Sequence, residues 1–423
     1  MEYEVSLRSA EQVLEHIDAE KYDVIRVWIT REGKWYIFEG ENREILRLED
    51  EKIGTAVTVD VNSGDLIELG SGKRHRVDIY FPVMHGEYVE DGRLQGLFDI
   101  CGAKYVGCGA FASHICMDKA LAKDVARKLG IKVAKGVVLN AKCRMQKEQP
   151  FHRKRSPSPC TGEAQVRPTG EPYCYIAQGR HRRRENGKTE LERSLRLPLA
   201  STSLSRWRHG QEEASVLRGD GECEINNPSV NCVDTFPCTG EANGKFVGFG
   251  EKMEYPVFVK PCMSGSSVGV SRVENEGQLT FAIENAFKYC DRVMIEEGID
   301  GKEVEVAVME RGGELVVSPA GMIKYTGNFY GYEEKYCSGN NEYIIPAPVG
   351  AETEKYLREC AKRLFLELGC RGLSRFDFFV KKDGEVVFNE VNTMPGFTKD
   401  SMFPMLLGAA GLSYGEIIEG IVG

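Results

Sequence analysis

At 423 residues the chain has room for two or three domains, each with a sizeable core. Its 42% hydrophobic and 28% charged residues are ordinary for a globular protein, and a net charge of −9 argues against general nucleic-acid binding. The opening MEYEVSLRSA is too polar and acidic for a signal peptide, and no apolar run approaches a membrane span; a cytoplasmic protein without a membrane or nucleic-acid partner is expected.

Residues 1–116 read as an α/β domain. The pattern predicts a helix over Ser9–Ile17 and extended segments over Val24–Trp28, Lys34–Phe38 and Asp65–Leu69. Val77–Met84 is a buried-strand run ending in His85-Gly86, followed by Glu90-Asp91-Gly92 and a helix over Leu94–Cys101. A strand that ends in a glycine-rich polar loop before a helix is where α/β proteins place ligands, which makes His85 a candidate; a packed loop histidine is the alternative. The chain begins beyond the apolar strand and glycine-rich turn that normally open a doubly wound domain.

Residues 117–140 predict a helix carrying Lys119 and Lys123, then a strand over Ile131–Leu139. From about Lys142 to Lys245 the composition changes: Arg-His-Arg-Arg-Arg at 180–184, Ser/Thr/Pro clusters, and six of the fourteen cysteines. The hexapeptide Pro-Cys-Thr-Gly-Glu-Ala occurs twice, at 159–164 and 237–242. Such a stretch reads either as a basic binding arm or as a disordered insertion, and the lack of hydrophobic periodicity favours the insertion. The cysteines are scattered without a Cys-x-x-Cys, as expected of reduced thiols.

Order resumes at Tyr255. Pro256–Pro261 is a short strand carrying Lys260, and Cys262–Gly269 is a small-residue loop whose N–H groups and hydroxyls suit phosphate oxygens. The Gly-Lys-Ser/Thr ending of a P-loop is missing. A helix over Glu276–Phe287 follows, then a strand from Arg292 into Glu296-Glu297, then Gly301–Val308 with Glu303 and Glu305 alternating with valines. Residues 327–341 combine four Tyr/Phe with glycines and Glu333-Glu334-Lys335-Tyr336, the composition of a mobile flap over a substrate. Helices are expected over Glu352–Leu368 and Ser413–Val422.

The sharpest pattern is Arg375–Gly396, RFDFFVKKDGEVVFNEVNTMPG. Asp383-Gly384 is a two-residue hairpin signal, and a turn centred there makes paired residue numbers sum to 767. Asp377 then faces Glu390 and Arg375 faces Asn392, all four on one side of the sheet. Facing carboxylates repel unless a cation lies between them, and Asp, Glu and Asn oxygens are the hard ligands that Mg²⁺ takes. Arg375 beside them suits an anionic substrate or transition state. A solvated charged strand face is the alternative; four such residues in register, ahead of Thr393-Met394-Pro395-Gly396, favour a metal-dependent active site.

In these stretches the chain resembles the D-alanine–D-alanine ligases of the ATP-grasp superfamily. The resemblance rests on Glu2–Ala10 (EYEVSLRSA), Phe81–Gly92 (FPVMHGEYVEDG), Cys116–Lys119 (CMDK), Val259–Gly269 (VKPCMSGSSVG), Ile295–Glu303 (IEEGIDGKE), Phe329–Tyr336 (FYGYEEKY) and Arg375–Gly396. It covers nearly everything except about 142–250, and Val89 stands where the family's HGxxGEDG has glycine. It implies an α/β ATP-grasp fold with an N-terminal Rossmann-like domain lacking its first strand. Residues 1–116 would be the N-terminal domain, 117–298 the central lid domain interrupted by the 142–250 insertion, and 299–423 the C-terminal catalytic domain.

The reaction implied is ATP-dependent joining of two D-alanines through an acyl phosphate, for peptidoglycan precursors. The resemblance assigns Lys119, Lys260, Ser267 and Lys335 to ATP phosphates, Glu296 to the adenine amino group and Glu303 to the ribose. Asp377, Glu390 and Asn392 would hold two Mg²⁺ or Mn²⁺ ions. Glu2 would take the ammonium of the first D-alanine, linked through Ser266 to Tyr336, with His85 nearby. Arg375 and the Gly396 amide would form the oxyanion site, and Ser401 would bind the second carboxylate. The resemblance also implies a homodimer. A D-alanine–D-serine ligase of the vancomycin-resistance type is the nearest rival, and Tyr336 stands where a D-lactate ligase would carry histidine. A truncated, non-catalytic remnant that binds nucleotide is the rival of another class.

Overall fold

Three antiparallel sheets carry the architecture of the computed structural model, which describes residues 2–40, 42, 54–86, 88–141, 241–242, 245–246, 254–324 and 342–423. The described residues all belong to one compact unit, and 151–230 lie outside the described residues. The expected insertion is described only at β7 (Glu241–Ala242) and β8 (Lys245–Phe246), a two-stranded hairpin. Strands β1 to β6 come before it in the chain.

The first sheet runs β1 (Val27–Ile29), β2 (Trp35–Phe38), β3 (Gly54–Val59), β4 (Leu66–Glu68), β5 (Arg74–His75) in that spatial order. Every pair is antiparallel, which differs from the parallel sheet of a doubly wound domain. Tight turns account for several of these pairings: Gly33, Gly64 and Gly72 reverse the chain at φ 78°, 76° and 72°. Turns this short leave no length for the crossover that a parallel pair needs. The strand expected over Val77–Met84 makes a single parallel bridge, Tyr80 with Tyr105. The run reads as buried because Ile79, Phe81 and Val83 pack on a core cluster, not because it sits in a ladder.

Helix α1 (Glu2–His16) starts seven residues before the expected Ser9. Its Tyr3, Leu7, Ala10 and Leu14 follow one helical stripe and cover Trp28, Tyr36 and Phe38. Helices α2 (Arg93–Cys101), α3 (Ala110–Met117) and α4 (Lys119–Lys128) follow. The strand predicted from Ile131 begins at Gly136 as β6 (Gly136–Asn140); Val133 instead makes a parallel bridge to Phe388.

The second sheet has the order β10-β9-β11-β6, with β9 (Val257–Pro261), β10 (Ser271–Val273) and β11 (Arg292–Glu297). Helix α5 (Glu276–Ala286) covers it with Leu279, Ala282, Ile283 and Ala286. The third sheet is β13-β12-β16-β17, built from β12 (Gly301–Arg311), β13 (Glu314–Val317), β16 (Leu373–Lys381) and β17 (Val386–Asn392). Strands β14 (Met322–Lys324) and β15 (Glu342–Ile344) form a small ribbon beside it. Helix α6 (Ala351–Glu367) packs Leu357, Leu364 and Phe365 against Val304, Val306 and Phe376 on one face. Helices α7 (Met402–Ala409) and α8 (Tyr414–Val422) cover Ala307, Met309 and Leu373 on the other. With both faces covered, Val304 to Met309 is buried without a break, so the apolar alternation is hidden at that depth.

The β16–β17 hairpin departs from the sequence expectation in a way that cancels. Its loop is three residues, Lys382-Asp383-Gly384, closed by Lys381 N–H to Glu385 O at 2.9 Å, with Gly384 at φ 87°. Near the turn the paired numbers therefore sum to 766, as in Phe378 with Phe388. A bulge at Asn389 then adds one residue and restores Asp377 opposite Glu390 and Arg375 opposite Asn392. The facing pairs are the predicted ones, reached through a different turn. Among the described residues no single helix is long and apolar enough to cross a membrane, and the seven described cysteines are free thiols.

Candidate active site

Two communicating cavities open where these sheets meet, of about 710 and 490 Å³, sharing Lys119, Ser264, Gly265, Ser266 and Glu390. Glu390 of the hairpin face lies at their junction. Arg375 Nε and Nη2 donate to the two oxygens of Asp377, each at 2.8 Å, and Asn392 Nδ2 donates to Asp377 Oδ2 at 3.0 Å. Arg375 Nε also stands 2.9 Å from Glu305 Oε2, because Glu305 is the β12 residue opposite Asp377. Lys119 Nζ lies 3.3 Å from Glu390 Oε2. Asp377 is 3% exposed and lines neither cavity, while Glu390 and Asn392 face the larger one.

This donor set fits a hard divalent cation: two carboxylates and an amide oxygen project from one side of one hairpin. Among the described residues no three His, Cys, Asp or Glu side chains form a metal cage. An ion here would therefore complete its shell with Asn392, water and ligand oxygens, as Mg²⁺ commonly does.

Asp118 fixes the lysines. It caps α4 by accepting from Ala120 N and Leu121 N at 3.0 and 3.2 Å, and the chain on either side is pinned by Lys119 N–H to Cys262 O at 3.0 Å. Lys119 Nζ donates to Ser264 O at 2.5 Å, at the start of the small-residue loop. In that loop Ser266, Ser267 and Gly269 all have left-handed φ, at 48°, 59° and 74°. Two adjacent serines held there are a strained backbone of the kind found at ligand clamps.

The smaller cavity is lined by Lys260, Ser267, Glu296 and Glu303 between Phe258 and Phe379. Glu296 is buried, and Lys123 and Lys260 each donate to one of its oxygens. Burial alone would raise the Glu296 pKa; the two ammonium groups outweigh it and hold the carboxyl at about 2. For Lys123 burial wins and lowers its pKa below the ordinary lysine value.

The larger cavity is bounded by α1, by His85, and by the segment after β17. His85 Nε2 lies 3.2 Å from Ser9 Oγ and its Nδ1 3.2 Å from Met394 O, with Glu90 Oε1 3.6 Å away. Val89 is buried, and the left-handed conformations of its loop fall on Gly86, Tyr88 and Gly92, so position 89 makes no demand for glycine. Ser401 Oγ accepts from Thr398 N–H at 3.1 Å, and a Cβ added to Gly396 would stand 2.7 Å from it.

Thus Lys119, Lys260, Ser266, Ser267, Glu296 and Glu303 come together around one end of the paired cavities. His85, Arg375, Gly396, Ser401, Glu390 and Asn392 gather around the other, over Asp377. Glu2 opens α1, but its side chain lies outside the described residues, as do Lys335, Tyr336 and the whole 327–341 flap. Sequence reasoning names Lys123, Glu305, Glu90 and Ser9 but assigns them no role. Lys123 had a signal: it follows Lys119 by four residues on one helix face.

The comparisons with known proteins fit this geometry. Residues 1–108 match the D-ala D-ala ligase N-terminus and 233–423 the D-ala D-ala ligase C-terminus. The chain is 33% identical to the D-alanine–D-alanine ligase of Chlorobium phaeovibrioides, over 99% of its length and 92% of that protein. It belongs to the D-alanine–D-alanine ligase family. The ligase of Acetivibrio thermocellus is also 33% identical, over 100% of this chain and 92% of its own length. Among solved structures, VanG D-Ala:D-Ser ligase from Enterococcus faecalis superposes with a TM-score of 0.69 at 30% identity, covering 100% of this chain and 95% of its own. The D-alanine–D-alanine ligase from Coxiella burnetii shares the fold, with a TM-score of 0.63 at 24% identity over 99% and 90%. As a family member the chain is an ATP-dependent ligase of the α/β ATP-grasp class, and the family uses a divalent metal.

Proposed function

We propose that the paired cavities join two D-alanine molecules, with ATP in the smaller and the amino acids in the larger. The observation that carries this reading is the hairpin face. Glu390 stands at the junction, where a γ-phosphoryl group would meet a carboxylate, in register with Asp377, Asn392 and Arg375 on the same hairpin face. A carboxylate is a poor electrophile because its leaving group would be oxide. Its oxygen attacks the γ-phosphorus, the bond to the ADP oxygen breaks, and an acyl phosphate results. The amine of the second D-alanine then attacks the acyl carbon and loses a proton, and inorganic phosphate departs from the tetrahedral species.

Residue roles follow from position. Lys119 and Lys260, with the Ser266-Ser267 loop, take the phosphates; Glu303 takes the ribose and Glu296 the adenine edge, its remaining lone pairs being free of the two lysines. Asp377, Glu390 and Asn392 would hold the metal, as two Mg²⁺ ions; bound there, it would offset phosphoryl charge. Arg375 and the Gly396 amide stabilise the tetrahedral oxyanion; a single such donor is worth about 10²–10³ in rate. Ser401 receives the second carboxylate, while His85 orients the first substrate from Ser9 and Met394. Glu2 would receive the first ammonium and link through Ser266 to Tyr336, and Lys335 would join the phosphate ligands, as the resemblance implies. Water must be kept from the site, because it destroys an acyl phosphate.

Divisions at 117 and 299 separate the three parts that supply these groups, and the resemblance that suggests them also implies a cytoplasmic homodimer. The likeness to a D-Ala:D-Ser ligase favours D-serine as the alternative second substrate. Phosphate release with ATP, Mg²⁺ and D-alanine, with the dipeptide identified by mass, tests the reading. ATP binding without D-alanine-dependent release would leave only a nucleotide-binding remnant. Competition with D-serine decides the second substrate.

A further inference from the structure

The Lys123–Glu296–Lys260 triad contains a charge for which phosphate transfer has no direct use. Lys123 and Lys260 both line the smaller cavity, but Lys123 is 1% exposed and Lys260 13%, so Lys260 presents the larger surface to it. Both ammonium groups donate to the same carboxylate, one on each oxygen. Two cations and one anion leave the triad with one net positive charge. Without Lys123, Glu296 and Lys260 would form a neutral pair at the place where a triphosphate must bind, with Glu303 and Glu390 also lining that cavity.

We propose that Lys123 is a positioning residue for the nucleotide: it neutralises Glu296 from the buried side, so that the Lys260 ammonium keeps its charge for phosphate oxygens. The proposal rests on the smaller cavity being the nucleotide site. The helix supplies the means. Asp118 caps α4, which fixes Lys119 at its first turn, and Lys123 lies one turn on along the same face. Lys119 thereby reaches Ser264 and Glu390 while Lys123 reaches Glu296. The rival role is structural, a buried ion pair that only holds α4 to β11; such pairs are commonly replaceable by apolar side chains of similar volume.

The test compares wild type, K123M and K123M/E296Q by calorimetric titration with ATP in Mg²⁺ and with adenosine, without D-alanine. The full chain is used and folding is checked by circular dichroism. K123M is expected to bind ATP about tenfold more weakly, a loss of the size one unpaired charge causes at partly buried sites. Adenosine, which carries no charge, should change less than twofold. The double variant, which also removes the uncompensated carboxylate, should have a ratio of ATP to adenosine affinity at least threefold above that of K123M, a ratio in which any change at the adenine edge cancels. ATP affinity in K123M within twofold of wild type would overturn the proposal. So would an equal loss for adenosine, or a double variant whose ratio is no higher than that of K123M. Should K123M fail to fold, the double variant decides: a ratio within fivefold of wild type supports the proposal and a lower one overturns it. A wild type that binds ATP but releases no phosphate with D-alanine removes the ligase reading and leaves this one standing; one that binds no ATP removes both.

Discussion

Glu390 shows most directly what a single residue contributes. It sits at the junction of both cavities, opposite Asp377 and 3.3 Å from Lys119. Glu390→Gln keeps the size and removes the charge, so D-alanine-dependent phosphate release should fall by more than the about 10–100-fold that loss of a metal-site partner costs. The circular-dichroism spectrum should not change; turnover within twofold of wild type would take Glu390 out of the metal site. Glu296 makes a second prediction, of pH dependence. Its carboxyl is held at about 2 against an ordinary 4.5, so its folded-state pKa lies below the unfolded one. The stability it contributes is present in full above pH 4.5 and drains away as pH falls from there towards 2. Urea unfolding at pH 5 and pH 3 should show a larger loss for wild type than for Glu296→Gln. Equal losses would mean that the two lysines do not depress this carboxyl.

At the scale of elements, two glycines with left-handed φ separate backbone strain from ligand binding. Gly384 closes the hairpin loop at φ 87°, and an added Cβ would meet only Thr353 Oγ1 at an ordinary 3.6 Å. Gly384→Ala should therefore cost only the conformational penalty, about 1–2 kcal/mol, and leave ATP affinity alone. Gly269 ends the serine loop at φ 74°, and its added Cβ would stand 2.6 Å from Tyr289 and 2.8 Å from Pro261. Gly269→Ala should lower the melting temperature further and weaken ATP as well, because the loop that faces the phosphates must shift. Equal ATP affinity in both variants would show that this loop does not bind phosphate. Legibility also varied by element. The hairpin, β9, α5 and α6 were readable because each carries a local period or a turn residue. The α3 and α7 helices were not, since MFPMLLGA is apolar throughout, AFASHICM has only Ser113 and His114 as polar residues, and neither helix has a side-chain cap. The Asn389 bulge has no local sequence signature, so the correct facing of Asp377 and Glu390 came from a turn misplaced by one residue. The antiparallel first sheet was missed because β3 and β5 lack alternation, and an apolar run at 77–84 looks the same whether it joins a ladder or packs on a core.

At the scale of the whole molecule, the amino-acid cavity is built from both ends of the chain, which no local pattern can announce. Ser9 on α1 is fully buried and accepts from Phe397 N–H, 388 residues away, at 3.3 Å. Around it Val13 packs with Ile417, Ile418 and Ile421, and the His16 and Tyr414 rings lie 4.5 Å apart. The helix that bears Glu2 is therefore seated on the C-terminal segment that bears Gly396 and Ser401. Ser9→Ala removes the acceptor from a buried N–H and a neighbour from His85, which should cost about 1–3 kcal/mol in urea unfolding. The functional effect should be one-sided. Ser9 supports the larger cavity and makes no part of the smaller, so KM for D-alanine should rise severalfold while ATP affinity stays within twofold. If ATP weakened as much as D-alanine, the two cavities would have to be treated as one mechanical unit, and dividing the substrates between them would lose its structural basis.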